Sequence, residues 1–115
     1  MAEKLNDAAL QHARSLVRDG KVVRDKHAGW AAKAPTAAEE NAFIEKHGWA
    51  EYEKWHLGVD ETASEQTKGR FSFPYGDFSR VDRGAVIAIE SRAAEYDHDD
   101  IATAAKNLLE LIDEE

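Results

Sequence analysis

At 115 residues, with 43% hydrophobic and 33% charged side chains, the chain has the size and composition of one globular domain, which we assign to residues 1–115. It contains no cysteine, which excludes disulfides, thiolate metal sites and cysteine nucleophiles. The formal net charge of −8 opposes binding to duplex nucleic acid, and no apolar run is long enough to cross a membrane. The N-terminal residues lack the apolar stretch of a signal peptide, so we expect a cytoplasmic protein.

The excess negative charge lies in the second half of the chain. Residues 1–57 carry nine basic and nine acidic side chains, whereas residues 58–115 carry six basic and fourteen acidic ones. A local basic patch within residues 14–26 is formed by Arg14, Arg18, Lys21, Arg24 and Lys26. Because most charge runs are solvated faces, we interpret this patch as the complement of the acidic C-terminal segment. A minor anion- or RNA-binding role of the patch is the alternative.

The first predicted helix begins at Asn6 or Asp7, either of which can cap it. It ends before Gly20, because glycine readily adopts the left-handed conformation that closes a helix. Its apolar residues keep helical spacing: Leu5, Ala9, Ala13, Leu16 and Val17. Residues 21–24 are predicted as a brief extended segment. Residues 26–34, with Trp30 as their one large apolar side chain, are predicted as a linker.

A second helix is predicted to begin at Thr36, because Thr36 and Glu39 have the spacing of a capping box. We expect this helix to bury Ala42, Phe43 and His47 and to be interrupted at Gly48. Helical spacing then resumes up to Gly58 through Trp49, Tyr52, Trp55 and His56.

The segment after Gly58 is predicted to be irregular and then extended. Residues 60–69 are polar and indicate a loop, and the alternation of Phe71, Phe73 and Tyr75 indicates an extended segment. Pro74 argues against an interior strand, because proline donates no hydrogen bond to a neighbouring strand. We expect residues 70–75 to pack against the C-terminal helices, with residues 21–24 as a candidate strand partner.

Two helices are predicted in the last third of the chain. The first begins at Asp77, a turn follows at residues 97–99, and the last helix begins at Asp99 or Asp100. The apolar face of the last helix comprises Ile101, Ala104, Ala105, Leu108, Leu111 and Ile112. The predicted fold class is therefore mostly α, indeed all-alpha. It is a small single-domain fold of four or five helices, with a C-terminal αα-hairpin and a short extended aromatic segment.

Eight of the ten aromatic residues lie between Phe43 and Phe78. Aromatic and arginine side chains are the usual anchors of protein interfaces, although helix-spaced aromatic residues more often form a core. We keep both interpretations. The candidate binding face comprises Trp49, Tyr52, Trp55, Phe71, Tyr75, Arg70, Arg80 and Arg83. It predicts a protein-binding or scaffolding module with a protein partner and no cofactor.

A metal-binding enzyme is the alternative, because the chain contains the E-x-x-H spacing twice. Glu53 precedes His56, and Glu95 precedes His98, at the spacing used by di-metal carboxylate bundles. However, His98 falls in the predicted turn between the last two helices, and two matches are unsurprising in a chain with 23 acidic residues and five histidines. No phosphate-binding loop, hydrolase elbow or other catalytic motif is present, so no catalytic residue is predicted.

Part of the chain resembles known families. Residues 49–58, which end in Lys-Trp-His-Leu-Gly, are followed at residues 68–78 by Lys-Gly-Arg-Phe-Ser-Phe-Pro-Tyr-Gly-Asp-Phe and then by a helix with Arg83 and Arg92. From about Thr36 onward this order is similar to a family of small uncharacterised bacterial proteins. The C-terminal part is similar, more weakly, to helical segments attached to phage head-maturation proteins. Neither resemblance implies an activity, but both imply that the aromatic run is a defined structural element.

Overall fold

The computed structural model describes residues 3–24 and 34–114. The elements in chain order are β1 (Glu3–Leu5), α1 (Asp7–Arg18), β2 (Val22–Val23), α2 (Ala37–His47), α3 (Trp49–Glu53), β3 (His56–Asp60), a 3-10 turn (Lys68–Arg70), β4 (Phe71–Pro74), β5 (Val81–Asp82), α4 (Arg83–Glu95) and α5 (Asp99–Glu114). The predicted linker with Trp30, apart from Ala34, and Lys26 of the basic patch lie outside the described residues.

The prediction of a mostly α, all-alpha fold is wrong, because the chain forms two sheets beside its helices. Strands β1, β3 and β4 form an antiparallel sheet with β3 in the centre, and β2 pairs with β5 in parallel. In the larger sheet Leu5 lies opposite Gly58, which in turn lies opposite Ser72. Leu5 therefore belongs to a strand rather than to the first helix, and the fold is α+β.

Strand β3 replaces the end of a predicted helix. Helix α3 ends at Glu53, and four of the five residues of β3 are buried. A strand covered on both faces lacks the alternation of polar and apolar residues that identifies a strand in a sequence. Gly58 does not stop a helix here. A Cβ atom at this position would collide with Oγ of Ser72 and the ring of Phe73 on β4, so the close approach of the two strands requires glycine.

The two predicted extended segments are strands, but they do not pair with each other. Val22–Val23 pairs with β5, and Phe71–Pro74 pairs with β3 at the edge of the larger sheet. The edge position of β4 suits its sequence, because Pro74 has no N–H group and Phe73 adopts a φ of 59°, outside the strand region. The proline therefore restricts β4 to an edge without preventing a strand.

The start of α4 differs from the prediction. Its N-cap is Asp82, whose carboxylate accepts a hydrogen bond from the N–H of Ala85 at 3.2 Å. Asp77, the predicted cap, instead accepts hydrogen bonds from two following backbone N–H groups at 3.0 and 2.7 Å and so closes a turn. Phe78 lies within this turn with a φ of 68°.

Several local predictions are confirmed. Thr36 and Glu39 form the capping box, with hydrogen bonds of 3.2 and 3.0 Å. Gly20 follows α1 with a φ of 77°, as a left-handed helix end requires. Helices α4 and α5 pack against each other as the C-terminal αα-hairpin.

The apolar residues form two clusters. The main core joins α1, α4 and α5 to part of the larger sheet and comprises Ala9, Leu10, Ala13, Leu16, Val17, Trp55, Leu57, Tyr75, Val81, Val86, Ile89, Ala93, Ile101, Ala104, Ala105, Leu108 and Ile112. The second cluster consists of buried Tyr52, Val59 and Phe71, against which Phe43, Ile44, Trp49 and Phe78 pack while half-buried.

Polar groups connect the N-terminal segment to the rest of the fold. The side-chain amide of Asn6 donates to the carbonyl oxygens of Glu53 and His56 at 2.9 and 3.1 Å. The N–H of Leu5 donates to the Asp100 carboxylate at 2.9 Å. This carboxylate therefore satisfies a donor on the outer edge of β1.

Within the described ranges no helix has the length and apolar character needed to cross a membrane.

Candidate protein-binding face

Four aromatic residues of the candidate face are buried. Trp55 and Tyr75 stack within the main core with ring centroids 5.4 Å apart, and the Tyr75 hydroxyl donates to the carbonyl of Lys54 at 2.7 Å. Tyr52 and Phe71 are the buried centre of the second cluster, with their rings edge to face at 5.9 Å. These four side chains are packing residues in the folded chain, and a partner cannot reach them without rearrangement.

The three arginines of the candidate face have intramolecular partners. Arg70 donates to the carbonyl of Ala63 at 2.9 Å. The other two form ion pairs, Arg80 with Asp77 at 3.6 Å and Arg83 with Asp113 at 2.9 Å. The Arg83–Asp113 pair has two hydrogen bonds, which hold the pKa of the Asp113 carboxyl below its usual value. The guanidinium of Arg70 also lies over the Phe71 ring, 6.0 Å from its centroid. The structure therefore gives each arginine a role within the fold, and in the described part of the chain Arg70 alone of the three stacks on a ring of the candidate face.

Trp49 is the aromatic residue of the candidate face that remains half-buried. It opens α3 directly after Gly48, whose φ of 86° lets the chain turn sharply between α2 and α3. The Trp49 ring meets the ring of Tyr52 edge to face, with centroids 5.6 Å apart and planes 82° apart. One side of the indole is thus fixed on the second cluster while the rest stays accessible.

Helix α2 lies next to Trp49 and has no buried residue. Phe43 stacks on Phe78 with ring centroids 4.3 Å apart and planes 10° apart, yet Phe43 and Ile44 are only half-buried. The predictions that Ala42 and His47 are buried are wrong, since both are exposed. We call the half-buried residues Phe43, Ile44 and Trp49 the outer aromatic face.

Polar contacts hold α2 on the second cluster. The Tyr52 hydroxyl donates to the Glu40 carboxylate at 3.3 Å, and burial raises the pKa of this hydroxyl. Lys68 forms an ion pair with Glu40 at 3.3 Å and donates to the carbonyl of Ala37 at 3.2 Å. Because these contacts are partly exposed to solvent, each contributes at most about 1 kcal/mol.

His56 is a packing residue of the same region. Its Nδ1 lies 3.0 Å from the carbonyl oxygen of Tyr52, and its ring packs on that of Tyr52 with centroids 4.5 Å apart. Burial lowers the pKa of His56 to about 4, because the desolvated imidazole is more stable uncharged. The neutral ring therefore donates from Nδ1 to the carbonyl at neutral pH.

The E-x-x-H pairs do not form a metal site in the described part of the chain. His98 lies at the turn between α4 and α5, where Nε2 is 3.4 Å from a carboxylate oxygen of Glu3. No group of three or more potential ligands occurs among residues 3–24 and 34–114. The geometry therefore gives no support to a site built from Glu53, His56, Glu95 and His98.

Part of the basic patch contacts the C-terminal helix. The guanidinium of Arg24 donates to the carbonyl oxygen of Ile112 at 2.8 Å, and its charge helps to lower the pKa of Asp113. A cation favours the carbonyl end of a helix. This contact agrees with the interpretation that the patch complements the acidic C-terminal segment. It also engages the Arg24 guanidinium within the fold, which disfavours an anion-binding site at the patch.

The face predicted from the sequence included neither Phe43 nor Ile44. A signal is nevertheless present, because Phe43 and Ile44 are adjacent and the positions one turn away from Phe43 on either side are polar. Such a helix has apolar side chains on one turn only and cannot bury a continuous stripe.

No protein-family model, curated protein or solved structure matches the chain. The resemblances to small bacterial proteins and to segments of phage head-maturation proteins therefore stay predictions.

Proposed function

We propose that this protein is a protein-binding or scaffolding module that acts through the outer aromatic face. One observation carries the proposal: an eleven-residue helix, α2, buries none of its residues, and it leaves Phe43 and Ile44 half-exposed beside Trp49. Tryptophan is among the residues that contribute most to protein interfaces, especially where a rigid surface supports it. Tyr52 gives Trp49 that support.

A partner would complete the burial of apolar side chains that the fold leaves half-exposed. Fully burying a large apolar side chain contributes about 1.5–3 kcal/mol relative to leaving it exposed. The three half-buried side chains of the outer aromatic face can each contribute a substantial part of this free energy when another molecule covers them. The partner we propose is a protein, because the net charge of −8 disfavours duplex nucleic acid. The location that we propose for this module is the cytoplasm.

Affinity capture from a host lysate tests this proposal when it is followed by titration with the purified partner. Trp49→Ala should weaken binding at least about tenfold, because it removes the central anchor. The matched control is Tyr96→Ala, which truncates an aromatic side chain that is 53% exposed at the end of α4. Trp55 and Tyr75 are unsuitable positions, since truncation in the main core would strongly destabilise the fold and so obscure an effect on binding.

Circular dichroism and thermal unfolding must show that both variants remain folded. The proposal is wrong if Trp49→Ala binds every captured protein as tightly as wild type does. It is also wrong if Tyr96→Ala and Trp49→Ala weaken binding equally, because the contact would then lie elsewhere.

A further inference from the structure

The surroundings of the outer aromatic face are acidic. Residues 37–53, which form α2, Gly48 and α3, contain five glutamates and one lysine, a net charge of 1 − 5 = −4 with histidine neutral. The two helices that form the face therefore carry a net negative charge.

Some of these carboxylates are already engaged and others are available. Glu40 pairs with Lys68, and Glu51 pairs with Lys54 at 2.9 Å. Within the described ranges, Glu45 and Glu53 have no ion-pair partner.

The two available carboxylates lie on the same two helices as the apolar residues. Glu53 lies four residues after Trp49 in α3, so the two side chains share one side of the helix. Glu45 directly follows Ile44 in α2 and is exposed. Each of the two helices that form the face thus carries one available carboxylate.

We infer that the partner presents a cationic segment, in which lysine or arginine residues flank an apolar anchor. This inference rests on the proposed function and adds the chemistry of the partner. The apolar anchor would contact Phe43, Ile44 and Trp49, and the flanking cations would contact Glu45 and Glu53. The negative charge of the whole molecule acts in the same direction, because it accelerates the approach of a cationic partner and repels an anionic one.

A random peptide library displayed on a carrier tests the inference and does not require the natural partner to be identified first. Peptides are selected on wild-type protein after counter-selection on Trp49→Ala, and the net charge of the enriched peptides is determined. We expect enriched peptides to combine an aromatic or aliphatic residue with several lysines or arginines. Their affinity should fall as the salt concentration rises from about 0.05 to about 0.3 M, because salt screens exposed ion pairs.

Two charge-matched double variants then locate the interaction. Glu45→Lys with Glu53→Lys should weaken binding of a selected synthetic peptide roughly tenfold, because it turns two attractions into repulsions. The control, Glu95→Lys with Glu110→Lys, changes the net charge equally at exposed positions on α4 and α5 and should have less than about a threefold effect.

Each outcome separates the inference from the proposed function. Peptides that depend on Trp49 but are neutral or acidic overturn the cationic inference and leave the protein-binding face intact. Cationic peptides that lose affinity equally in both double variants also overturn it, because binding then follows net charge alone. If no enriched peptide depends on Trp49, the proposed function itself fails and the inference fails with it.

Discussion

Helices α5 and α2 differ in how they use their apolar residues. Helix α5 buries Ile101, Ala104, Ala105, Leu108 and Ile112, which recur at helical spacing along its whole length. Helix α2 places Phe43 next to Ile44 and buries no residue. An apolar stripe fixes a helix in a core, whereas an adjacent pair fixes it at one turn only.

The second difference concerns what holds each helix. Apolar contacts of the main core dominate around α5, while α2 depends on the Phe43–Phe78 stack and on the contacts of Glu40 with Tyr52 and Lys68. Partly exposed polar contacts contribute little, so α2 should open at a lower free energy than α5. A weakly attached helix beside half-buried aromatic residues suits a surface that is completed by a partner.

The largest expected effect comes from truncating the main core. Leu108→Ala removes a fully buried side chain from α5 and should lower the free energy of unfolding by about 2–5 kcal/mol, because it leaves a cavity. Ile44→Ala, the matched change on α2, should cost clearly less, since Ile44 is half-buried. Urea denaturation of the two variants and wild type measures both values. Equal losses would contradict the contrast between the two helices.

Acidification should destabilise the protein through His56. Folding lowers the pKa of this imidazole from 6.5 to about 4, so below pH 6.5 the unfolded chain binds a proton that the folded chain does not. The stability contributed by the neutral ring is complete above the unfolded pKa. Between about pH 7 and about pH 4 it should fall by about 2–3 kcal/mol.

The free energy of unfolding as a function of pH, determined for wild type and His56→Gln, isolates this effect. The variant should lose most of the pH dependence in this window. The lowered pKa values of His12 and Asp113 leave a residual slope of the same sign. The control His47→Gln replaces an exposed histidine and should retain the dependence of wild type. If the free energies of unfolding of wild type and His56→Gln fell in parallel with pH, His56 would not be the source of the pH dependence.

Adding one methyl group at the centre of the larger sheet should cost less than the core truncation. Gly58→Ala places a Cβ atom against Ser72 and the Phe73 ring, and the resulting overpacking should destabilise the protein by about 1–3 kcal/mol. Gly69→Ala is the matched control, because no atom lies within 4 Å of its added Cβ. Thermal unfolding of both variants tests the register of β3 against β4. A neutral Gly58→Ala would refute the pairing of Gly58 with Ser72.

The smallest expected effect concerns the surface charges. Asp113→Asn removes the ion pair with Arg83 and should change the free energy of unfolding only slightly, because the Asp113 carboxylate is exposed. The change should decrease further in high salt. Urea denaturation at two salt concentrations provides the measurement. A loss of stability as large as that of Leu108→Ala would contradict the prediction that this exposed ion pair contributes little.

The candidate site was predictable in part. The concentration of aromatic residues within residues 43–78 is visible in the sequence, and Trp49 belongs both to the predicted face and to the outer aromatic face of the structure. The sequence could not separate Trp49 from Trp55, since both keep the same helical spacing. The end of α3 at Glu53 separates them, because it directs the chain after it into β3 and the main core.

By itself the sequence determined the features that depend on neighbours within one or two helical turns. The capping box at Thr36, the helix end at Gly20 and the apolar stripe of α5 are of this kind, because a cap or a stripe involves residues only three or four positions apart. The C-terminal hairpin follows from two such helices and a short turn.

Only the tertiary structure decided the sheet. Strand β3 lies between β1 and β4. Gly58 of β3 lies opposite Leu5 of β1 and Ser72 of β4, and both residues are distant from Gly58 along the chain. A centrally placed strand is covered on both faces, so no alternation marks it. The helical spacing of Trp49, Tyr52 and His56 also continues from α3 into the first residue of β3. Strand pairing between distant segments provides the hydrogen bonds that make it a strand, and local sequence does not contain that information.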